Sequence, residues 1–417
     1  MPGIERIRPL IIVVAGGVLL LHGPRTAVQA QNAEYVELFS PAPAPREPAP
    51  PDILGAAMPG SVERIEIDLA ALRSPAAESG RVQMTFARGA VSLKVERDET
   101  EWSDDRTLSW FGKIEDGGGS VLFSIHRDAV YASIETGAGA YRIEPAEGSG
   151  YWLYQLDSSK EAQIDDGGAR LPVPSGVHTA DGSFRKKAAK TTLTVLVIYT
   201  KGFKKKHPGA ALKAQVNLLI QWANQALSNS KVPMKLKVVA MKKRNYTDGG
   251  DLNPALYAIR DGSGTFGKVP GWRKQFGADF VVLLRVYTEG NSSCGLGFRM
   301  DQLSVAFAPH AYSVTQVGHL PTGYYCHDRT LVHEFGHNLG SNHNKGDDGL
   351  FKYSLGHRFK GFKTVMSYSS AKGEQAIQYL SNPNVDFQGK ATGKKNLDNT
   401  KSFKKVLDTA AAWSNNL

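Results

Sequence analysis

Long hydrophobic runs are almost absent from the 417-residue chain. The exception is an apolar stretch over residues 10–21, which follows Arg6 and Arg8 and precedes the small-residue sequence VQA at residues 28–30. The stretch is too short to span a bilayer comfortably, so a membrane anchor is the weaker alternative. This order of basic, apolar and small residues predicts a signal peptide over residues 1–30. We expect a secreted protein, extracellular or periplasmic, with no stable membrane anchor.

Cysteine is equally scarce, with only Cys294 and Cys326 in the whole chain. The protein can therefore form at most one intramolecular disulfide bond. Because export leads to an oxidising compartment, a bridge between the two is favoured over two buried free thiols. We predict a disulfide bond between Cys294 and Cys326.

The chain also lacks a basic patch interleaved with aromatic residues, so we expect no nucleic-acid partner. Its net charge of +10 is nevertheless unevenly distributed. Residues 191–417 carry 30 Lys and Arg against 14 Asp and Glu, a net +16, whereas residues 1–190 carry 20 against 26, a net −6. Opposite charges predict two parts that attract each other. A solvated basic surface, or binding of anionic polymers, would also account for the lysines.

Hydrophobic patterning predicts three segments after the signal peptide. The proline-rich residues 31–60 are expected to form an extended linker. Residues 61–190 contain seven short alternating segments broken by glycine, which predict an all-β domain, and they end in the exposed, cleavable sequence FRKKAAK. In residues 191–417, buried apolar runs alternate with helical spacing, which predicts an α/β domain. One of its strands is expected at LSVAFAPH, residues 303–310.

Histidine is also rare, yet three of the eleven histidines fall within the sequence HEFGHNLGSNH. His333 and His337 are one helical turn apart on the same face, so both imidazoles can reach one ion. Gly340 can adopt a positive φ that turns the chain, so that His343 returns as a third ligand. The pattern predicts one Zn²⁺ per chain, with Glu334 beside it. The sequence leaves a calcium requirement open.

Three neutral imidazoles leave zinc its full charge and one open position. Zinc held in this way lowers the pKa of a bound water toward about 7. Glu334 would accept the proton of that water and pass it to the leaving amine. A gluzincin is disfavoured because its third ligand is a distant glutamate, whereas His343 lies only six residues after His337.

This motif resembles the H-E-x-x-H-x-x-G-x-x-H signature of the metzincin zinc endopeptidases. The sequence TVMSYS resembles their methionine turn, which implies that Met366 packs beneath the ligands. The resemblance covers most of residues 191–417. It implies an α/β (α+β) catalytic domain with a twisted mixed sheet, an active-site helix and an edge strand that binds the substrate backbone. The residues of that strand would be Gly295, Leu296, Gly297 and Phe298.

The sequence CGLGF, the single cysteine pair and TVMSYS together resemble bacterial reprolysin-like peptidases, and most of all the peptidyl-Asp metalloendopeptidase group. That likeness implies cleavage of protein or peptide substrates before acidic residues. The segment 367–384 is then expected to line the primary pocket. Lys363, Lys372 and Arg358 are candidate readers of the acidic side chain.

Two positions depart from the reprolysin pattern or extend it. Asn344 follows the third histidine, where reprolysins usually have aspartate. Tyr368 is similar to the tyrosine of astacins and serralysins, which implies a contact with the metal or stabilisation of the oxyanion. A packed or surface tyrosine is the alternative.

A β domain ahead of a secreted protease implies a zymogen. The acidic residues 61–190 would cover the basic catalytic domain as an inhibitory propeptide, and they contain no cysteine that could block the zinc. A permanent substrate-binding module is the alternative. For the whole chain, the alternative function is an inactive metzincin-fold protein that binds anionic partners. The intact Glu334 argues against it, because a binding protein has no use for the base.

Overall fold

Two large β-sheets organise the part of the chain that the structure describes. It is a computed structural model covering residues 35–42, 48–74, 80–115, 118–162, 169, 191–291, 293–370 and 373–417. The predicted signal peptide, the predicted processing sequence FRKKAAK and Lys372 lie outside the described residues.

The first sheet contains ten strands among the described residues, and its neighbours are antiparallel except at one edge. The strands are β1 (Val36–Glu37), β2 (Phe39–Pro41), β3 (Glu63–Ile67), β4 (Arg81–Phe86), β5 (Val91–Asp104), β6 (Thr107–Ile114), β7 (Ser120–His126), β8 (Ala129–Thr136), β9 (Gly139–Pro145) and β10 (Tyr151–Gln155). Their spatial order is β1-β4-β5-β6-β7-β8-β9-β10-β3-β2. Short helices α1 (Pro51–Ala56) and α2 (Leu69–Arg73) accompany them. All seven strands expected between residues 61 and 190 are present.

Part of the segment predicted as an extended linker is instead folded. Strands β1 and β2 form the two edges of the first sheet, and α1 buries Ile53 and Ala56. Pro51 begins this helix, a position where its missing N–H costs nothing because that group has no intrahelical partner. The prolines here therefore start a helix and do not keep the whole segment extended.

The second sheet is mixed, as expected, and carries the longest helices. Its strands are β11 (Thr191–Thr200), β12 (Met234–Arg244), β13 (Phe280–Val286), β14 (Gly295–Gly297), β15 (Tyr312–His319) and β16 (Tyr325–Cys326). The order is β12-β11-β13-β15-β14; the first four of these are parallel, and β14 and β16 are antiparallel to β15. The central strands β11 and β13 are mostly apolar and buried, as strands covered on both faces are, whereas the edge strand β12 carries basic residues and is only partly buried.

Six helices and five short strands complete this half. The helices are α3 (Lys201–Lys206), α4 (Ala210–Asn229), α5 (Leu252–Asp261), α6 (Val269–Gln275), α7 (Thr330–Asn338) and α8 (Asn399–Ala411). The strands are β17 (Arg358–Phe359), β18 (Phe362–Lys363), β19 (Gln375–Ala376), β20 (Asp386–Phe387) and β21 (Lys390–Ala391). Among the described residues, no helix combines the length and apolarity needed to cross a membrane.

The strand expected at residues 303–310 is wrong. The chain forms a 3₁₀ helix at Val305–His310, and Ser304 caps it by accepting a hydrogen bond from the N–H of Ala306. Pro309 has no N–H to donate to a β ladder, which disfavours a strand at this point. The apolar alternation of this sequence was therefore a misleading signal.

The first sheet packs directly on α4 of the second half. Asn217 of this helix donates hydrogen bonds of 2.8 and 2.9 Å to the hydroxyls of Ser109 and Ser124. The Ser124 hydroxyl in turn donates to the carbonyl of Ala214 at 2.7 Å. These polar contacts are buried, so they fix the position of α4 against strands β6 and β7.

Ion pairs between the two halves confirm the predicted attraction. Most of them join an acid of residues 1–190 to a base of residues 191–417; Arg142 with Asp328, at 2.8 Å, has the opposite polarity. Burial opposes ionisation of Glu144, but His319 and Lys206 outweigh it and lower the pKa of Glu144 to about 2. The acid-to-base pairs are Asp52–Lys206, Glu101–Lys235, Asp104–Lys213, Glu144–His319, Glu161–Arg329 and Glu161–Lys363.

The predicted disulfide bond is confirmed. Cys294, immediately before β14, is bonded to Cys326 at the end of β16, and their Cα atoms are 5.4 Å apart. Four residues after Cys326 the chain enters α7. The bridge therefore ties the outer strand β14 to the segment that leads into the histidine helix.

We predict that replacing both cysteines, Cys294→Ala with Cys326→Ala, lowers the free energy of unfolding by about 3–4 kcal/mol. The bridge joins residues 32 positions apart and so restricts the unfolded chain. Without it, the unfolded state gains conformational entropy and becomes more stable relative to the folded state. Urea denaturation measures the difference. The wild-type protein in reductant is the control and should match the variant, whereas equal midpoints for the variant and the oxidised wild type would contradict the prediction.

Candidate metal centre

Helix α7 is buried along its whole length, and its neighbours fix its orientation. All nine of its residues are buried. The ring of Phe335 stacks on Phe280 of β13, with centroids 4.6 Å apart. At its end, the side-chain amide of Asn338 donates to the carbonyls of Phe298 and Tyr312 at 2.7 and 3.2 Å. The helix is therefore held against the edge strand β14 and its neighbour β15.

Three imidazoles converge beside this helix, as the spacing predicts. The Nε2 atom of His343 lies 3.1 Å from the Nε2 atoms of both His333 and His337. Two ligands of a tetrahedral zinc ion, each at about 2.05 Å, are separated by roughly 3.3 Å. Among the described residues, this trio is the one group of three potential ligands close enough to share an ion. The donor atoms thus fit zinc.

Backbone carbonyls orient the first two rings. Nδ1 of His333 donates to the carbonyl of Val365 at 2.9 Å, and Nδ1 of His337 donates to the carbonyl of Ser341 at 2.8 Å. A proton on Nδ1 leaves the Nε2 lone pair free for a metal. Both rings are therefore fixed in the tautomer that a metal site requires.

Gly340 turns the chain so that His343 can reach the other two rings. Its φ is +80°, and a side chain there would also collide with Leu350. The N–H groups of Gly340 and Ser341 donate to the carbonyls of His337 and Gly336, both at 2.9 Å, which closes the helix. Gly340 thus has the positive φ that turns the chain at this point.

Met366 packs against the helix that carries two of the histidines. Its side chain is fully buried and lies against α7 at Gly336. A side chain at Gly336 would collide with the Met366 sulfur. Sequence reasoning singled out Gly340 but missed Gly336, although its place between the two helical histidines was a usable signal.

Glu334 lies where α7 meets β14. Its side chain is fully buried. A side chain at Gly295 would collide with the Glu334 carboxylate, and one at Gly297 would approach the Glu334 carbonyl to 2.7 Å. The two glycines therefore allow the outer strand to approach the helix closely enough to place backbone groups beside the carboxylate.

The outer side of β14 pairs with a residue from the first half of the chain. The N–H of Ala169 donates to the carbonyl of Gly297 at 2.9 Å, and the N–H of Arg299 donates to the carbonyl of Ala169 at 3.1 Å. The bridge between Ala169 and Phe298 is parallel. Ala169 thus uses backbone groups of the strand for which a substrate-binding role was predicted.

Tyr368 packs directly against the histidine trio. Its ring stacks on His343, with a centroid distance of 3.7 Å and an interplanar angle of 24°. Its side chain is only partly buried. This position fits the packing interpretation and also leaves the tyrosine beside the ligands, so a catalytic role stays a prediction.

The candidate acid readers have different surroundings. Lys363 is buried and its ammonium lies 2.6 Å from a carboxylate oxygen of Glu161, whereas Arg358 reaches the carbonyl of Tyr368 at 3.4 Å. Arg329, which sequence reasoning missed, donates from Nε to the other oxygen of Glu161 at 2.7 Å. Burial opposes ionisation of Glu161, but the positive charges of Arg329 and Lys363 lower the pKa of Glu161 well below the ordinary range.

The remaining histidines near the motif do not join the trio. The ring of His327 packs on Trp222, with centroids 5.6 Å apart, and burial lowers the pKa of His327 to about 3. His319 contacts Glu144, His310 packs on Phe298, and His357 stacks on Phe359. Their interpretation as structural residues agrees with these contacts.

Comparison with known proteins finds one matching family and several full-length relatives. The family of reprolysin-like metallopeptidases, M12B, matches residues 189–397. A peptidyl-Asp metalloendopeptidase from Stenotrophomonas maltophilia (strain R551-3) is 26% identical over 431 residues, covering 96% of this chain and 98% of its own. One from Xanthomonas campestris pv. campestris is 24% identical, covering 87% and 88%. Among solved structures, metalloproteinase-II from Bacteroides fragilis aligns with a TM-score of 0.46 and 12% identity over 79% of this chain and 90% of its own.

We predict one zinc ion per chain in the purified protein and its loss on substitution of His343→Ala. Removal of one of three ligands should weaken metal affinity by more than about 100-fold, because even outer hydrogen-bond partners of ligands contribute 10–100-fold. Elemental analysis after dialysis measures the stoichiometry. His357→Ala, which removes a nearby imidazole outside the trio, is the matched control and should retain zinc. Full zinc content in His343→Ala would contradict the assignment.

Proposed function

Because the chain belongs to the reprolysin-like metallopeptidases of family M12B, we propose that it is an exported endopeptidase that uses Glu334 as its general base and prefers bonds before aspartate. The observation that carries this proposal is the convergence of three imidazole nitrogens, two of them from the buried helix that also carries Glu334. A binding protein would need the fold but not the base.

Bound zinc would act as a Lewis acid and activate a water molecule. The protein's part is to place a proton acceptor and a peptide bond beside it. Glu334 accepts the proton of the attacking water and passes it to the leaving amine. Since the carboxylate is buried, its interactions are stronger than they would be in bulk water.

The substrate backbone is proposed to pair with β14. Strand β14 has a hydrogen-bonded neighbour, β15, on its inner side. On its outer side, the Gly297 carbonyl accepts a hydrogen bond from Ala169, and the N–H of Arg299, just after the strand, donates one to the Ala169 carbonyl. Addition of an extended peptide to such an edge provides backbone hydrogen bonds without requiring a particular sequence. The close approach at Gly295 then brings the peptide next to Glu334. Tyr368, stacked on His343, is the proposed partner of the oxyanion.

A preference for aspartate is supported by the names of the full-length relatives and by charge. Both relatives described above are peptidyl-Asp metalloendopeptidases. The half of this chain that carries the site has a net charge of +16. A positive surface attracts acidic peptides, and a buried cation near the cleft would select them.

The residues before the catalytic domain are proposed to be a propeptide that inhibits the enzyme until it is removed. Ala169 takes up the β14 hydrogen bonds that a substrate would need. The ion pairs between the two halves add affinity for the same contact. Export is supported by the amino-terminal sequence pattern and by the disulfide bond, which is typical of exported proteins.

We predict that Glu334→Gln lowers peptide hydrolysis by a factor between about 100 and 10,000, the usual contribution of a general base. Glutamine has the shape of glutamate but cannot accept the proton. The rate is measured with a peptide library in the presence and absence of a chelator, and zinc content is measured in parallel. Unchanged hydrolysis with zinc retained would contradict the role of Glu334, and absence of hydrolysis by the wild-type protein after removal of the proposed propeptide would favour a binding function.

We predict that the mature secreted protein begins between residues 185 and 195. Cleavage there removes the first sheet and Ala169 and so frees β14. Amino-terminal sequencing of the protein from culture medium identifies the start. The Glu334→Gln chain, produced in the same way, shows whether the protein processes itself. A stable, active protein beginning at Gln31 would instead support a permanent β module.

A further inference from the structure

Two cations lie buried next to the metal centre. The side chains of Arg329 and Lys363 are 2% and 3% exposed. Arg329 precedes the first metal ligand by four residues, so the two are one turn apart on the same side of the chain. Nη1 of Arg329 and Nδ1 of His333 donate to the same carbonyl, that of Val365, at 2.7 and 2.9 Å. Arg329 is thus separated from a metal ligand by a single shared acceptor.

Lys363 contacts the same carboxylate as Arg329, that of Glu161, and belongs to the chain segment that leads to Met366. It lies on β18 three residues before Met366, and its ammonium donates to the hydroxyl of Ser369 at 2.7 Å. Strand β19, parallel to β18, continues the segment 367–384 for which a pocket-lining role was predicted. The two cations therefore lie between the start of α7 and the proposed wall of the substrate pocket.

The carboxylate that neutralises this pair comes from the proposed propeptide. Glu161 follows the first sheet, and its side chain is 3% exposed. One oxygen accepts from Arg329 at 2.7 Å, and the other lies 2.6 Å from the Lys363 ammonium. Its neighbour Ala162 donates a backbone hydrogen bond to Tyr325 at 2.9 Å. Glu161 therefore presents a carboxylate from an extended, hydrogen-bonded backbone. An acidic peptide substrate would present its side chain in the same way.

Removal of residues 1–190 would open the space that Glu161 occupies beside Arg329 and Lys363. A cavity around Glu161 is bounded on one side by residues of the first half and on the other by residues of the catalytic half. Met58, Gly139 and Leu156 form the first side, and His327, Gln375 and Ala376 form the second. Without Glu161, Arg329 and Lys363 would lose the carboxylate that contacts both of them, and of the described acids Glu374 would still act on Lys363. Leaving two buried cations without this carboxylate is unfavourable, and an incoming carboxylate relieves the repulsion.

We propose, on the basis of the proposed peptidase function, that Arg329 and Lys363 form the subsite that reads the acidic side chain of the substrate, and that Glu161 occupies it in the precursor as an internal mimic. An amide of the same shape, such as asparagine, has no charge to offer the pair and leaves both cations uncompensated. The subsite therefore selects the charge of the side chain as well as its size.

The test compares kcat/KM for two peptides that differ only by Asp or Asn at the proposed acidic position. Glu161→Gln with Lys363→Met keeps the precursor free of an unpaired buried carboxylate, so it is the variant to mature and assay. We expect its Asp-to-Asn preference to fall by about 30-fold or more relative to wild type, the usual effect of truncating one partner of a buried charged pair. Hydrolysis of a peptide with Ala at that position should change little.

Two matched variants locate the effect. Lys390→Met removes an exposed lysine of the same half and should keep the wild-type preference. Arg358→Met removes the other described candidate reader. Loss of the preference in Arg358→Met, with the preference of the double variant Glu161→Gln with Lys363→Met unchanged, would overturn the assignment. A wild-type enzyme that cleaves both peptides equally would overturn it as well. A matured, zinc-loaded wild-type protein that cleaves no peptide would instead refute the peptidase function itself.

Glu161→Gln alone tests the mimic, because it leaves every residue of the catalytic half unchanged. We expect the purified precursor of this variant to cleave the Asp peptide sooner than the wild-type precursor, with the same Asp-to-Asn preference after maturation. An unchanged lag before activity would overturn the role of Glu161 while leaving the subsite to the kinetic comparison.

Discussion

The structure depends on the requirement that three imidazole nitrogens, supplied by a helix and by the chain that follows it, meet at one point. The helix can provide only two of them, because its third turn would carry a later residue away from the first two. The left-handed Gly340 and the two hydrogen bonds that close the helix redirect the chain so that His343 returns. Every other feature of the site supports this convergence or uses it.

Close packing around the helix explains why several small residues surround the site. Gly336 leaves room for Met366, and Gly295 leaves room for Glu334. The disulfide bond ties β14 to the segment entering α7, so the strand and helix that would hold substrate and base cannot separate easily. The metal ligands, the base and the peptide-binding edge are thus fixed relative to one another by packing, backbone hydrogen bonds and one covalent link.

Charge connects the two halves of the chain to the chemistry of the site. The ion pairs that join the halves place acids of the first half on bases of the second, and the most deeply buried of them, at Glu161, lies beside the metal centre. The same complementarity that holds the proposed propeptide in place would later favour an acidic substrate. Arg329 and Lys363 would thus serve both to hold the inhibitory propeptide and to select an acidic substrate.

Local patterns in the sequence predicted the features that depend on spacing. Spacing within a short stretch of sequence defines each of these features: the three histidines with Glu334 and Gly340, and the seven alternating strands. The contacts of Glu161 and Ala169 could not be predicted in this way, because each joins residues more than a hundred positions apart. The helix at Pro51–Ala56 and the 3₁₀ helix at Val305–His310 were missed because proline and apolar composition have more than one structural outcome.

X-ray absorption at the zinc edge of the purified protein tests the central claim most directly. Three imidazoles around one ion predict a first shell of nitrogen and oxygen at about 2.0–2.1 Å, with the outer scattering of imidazole rings. A shell that contains sulfur near 2.3 Å, or one without imidazole scattering, would contradict the account.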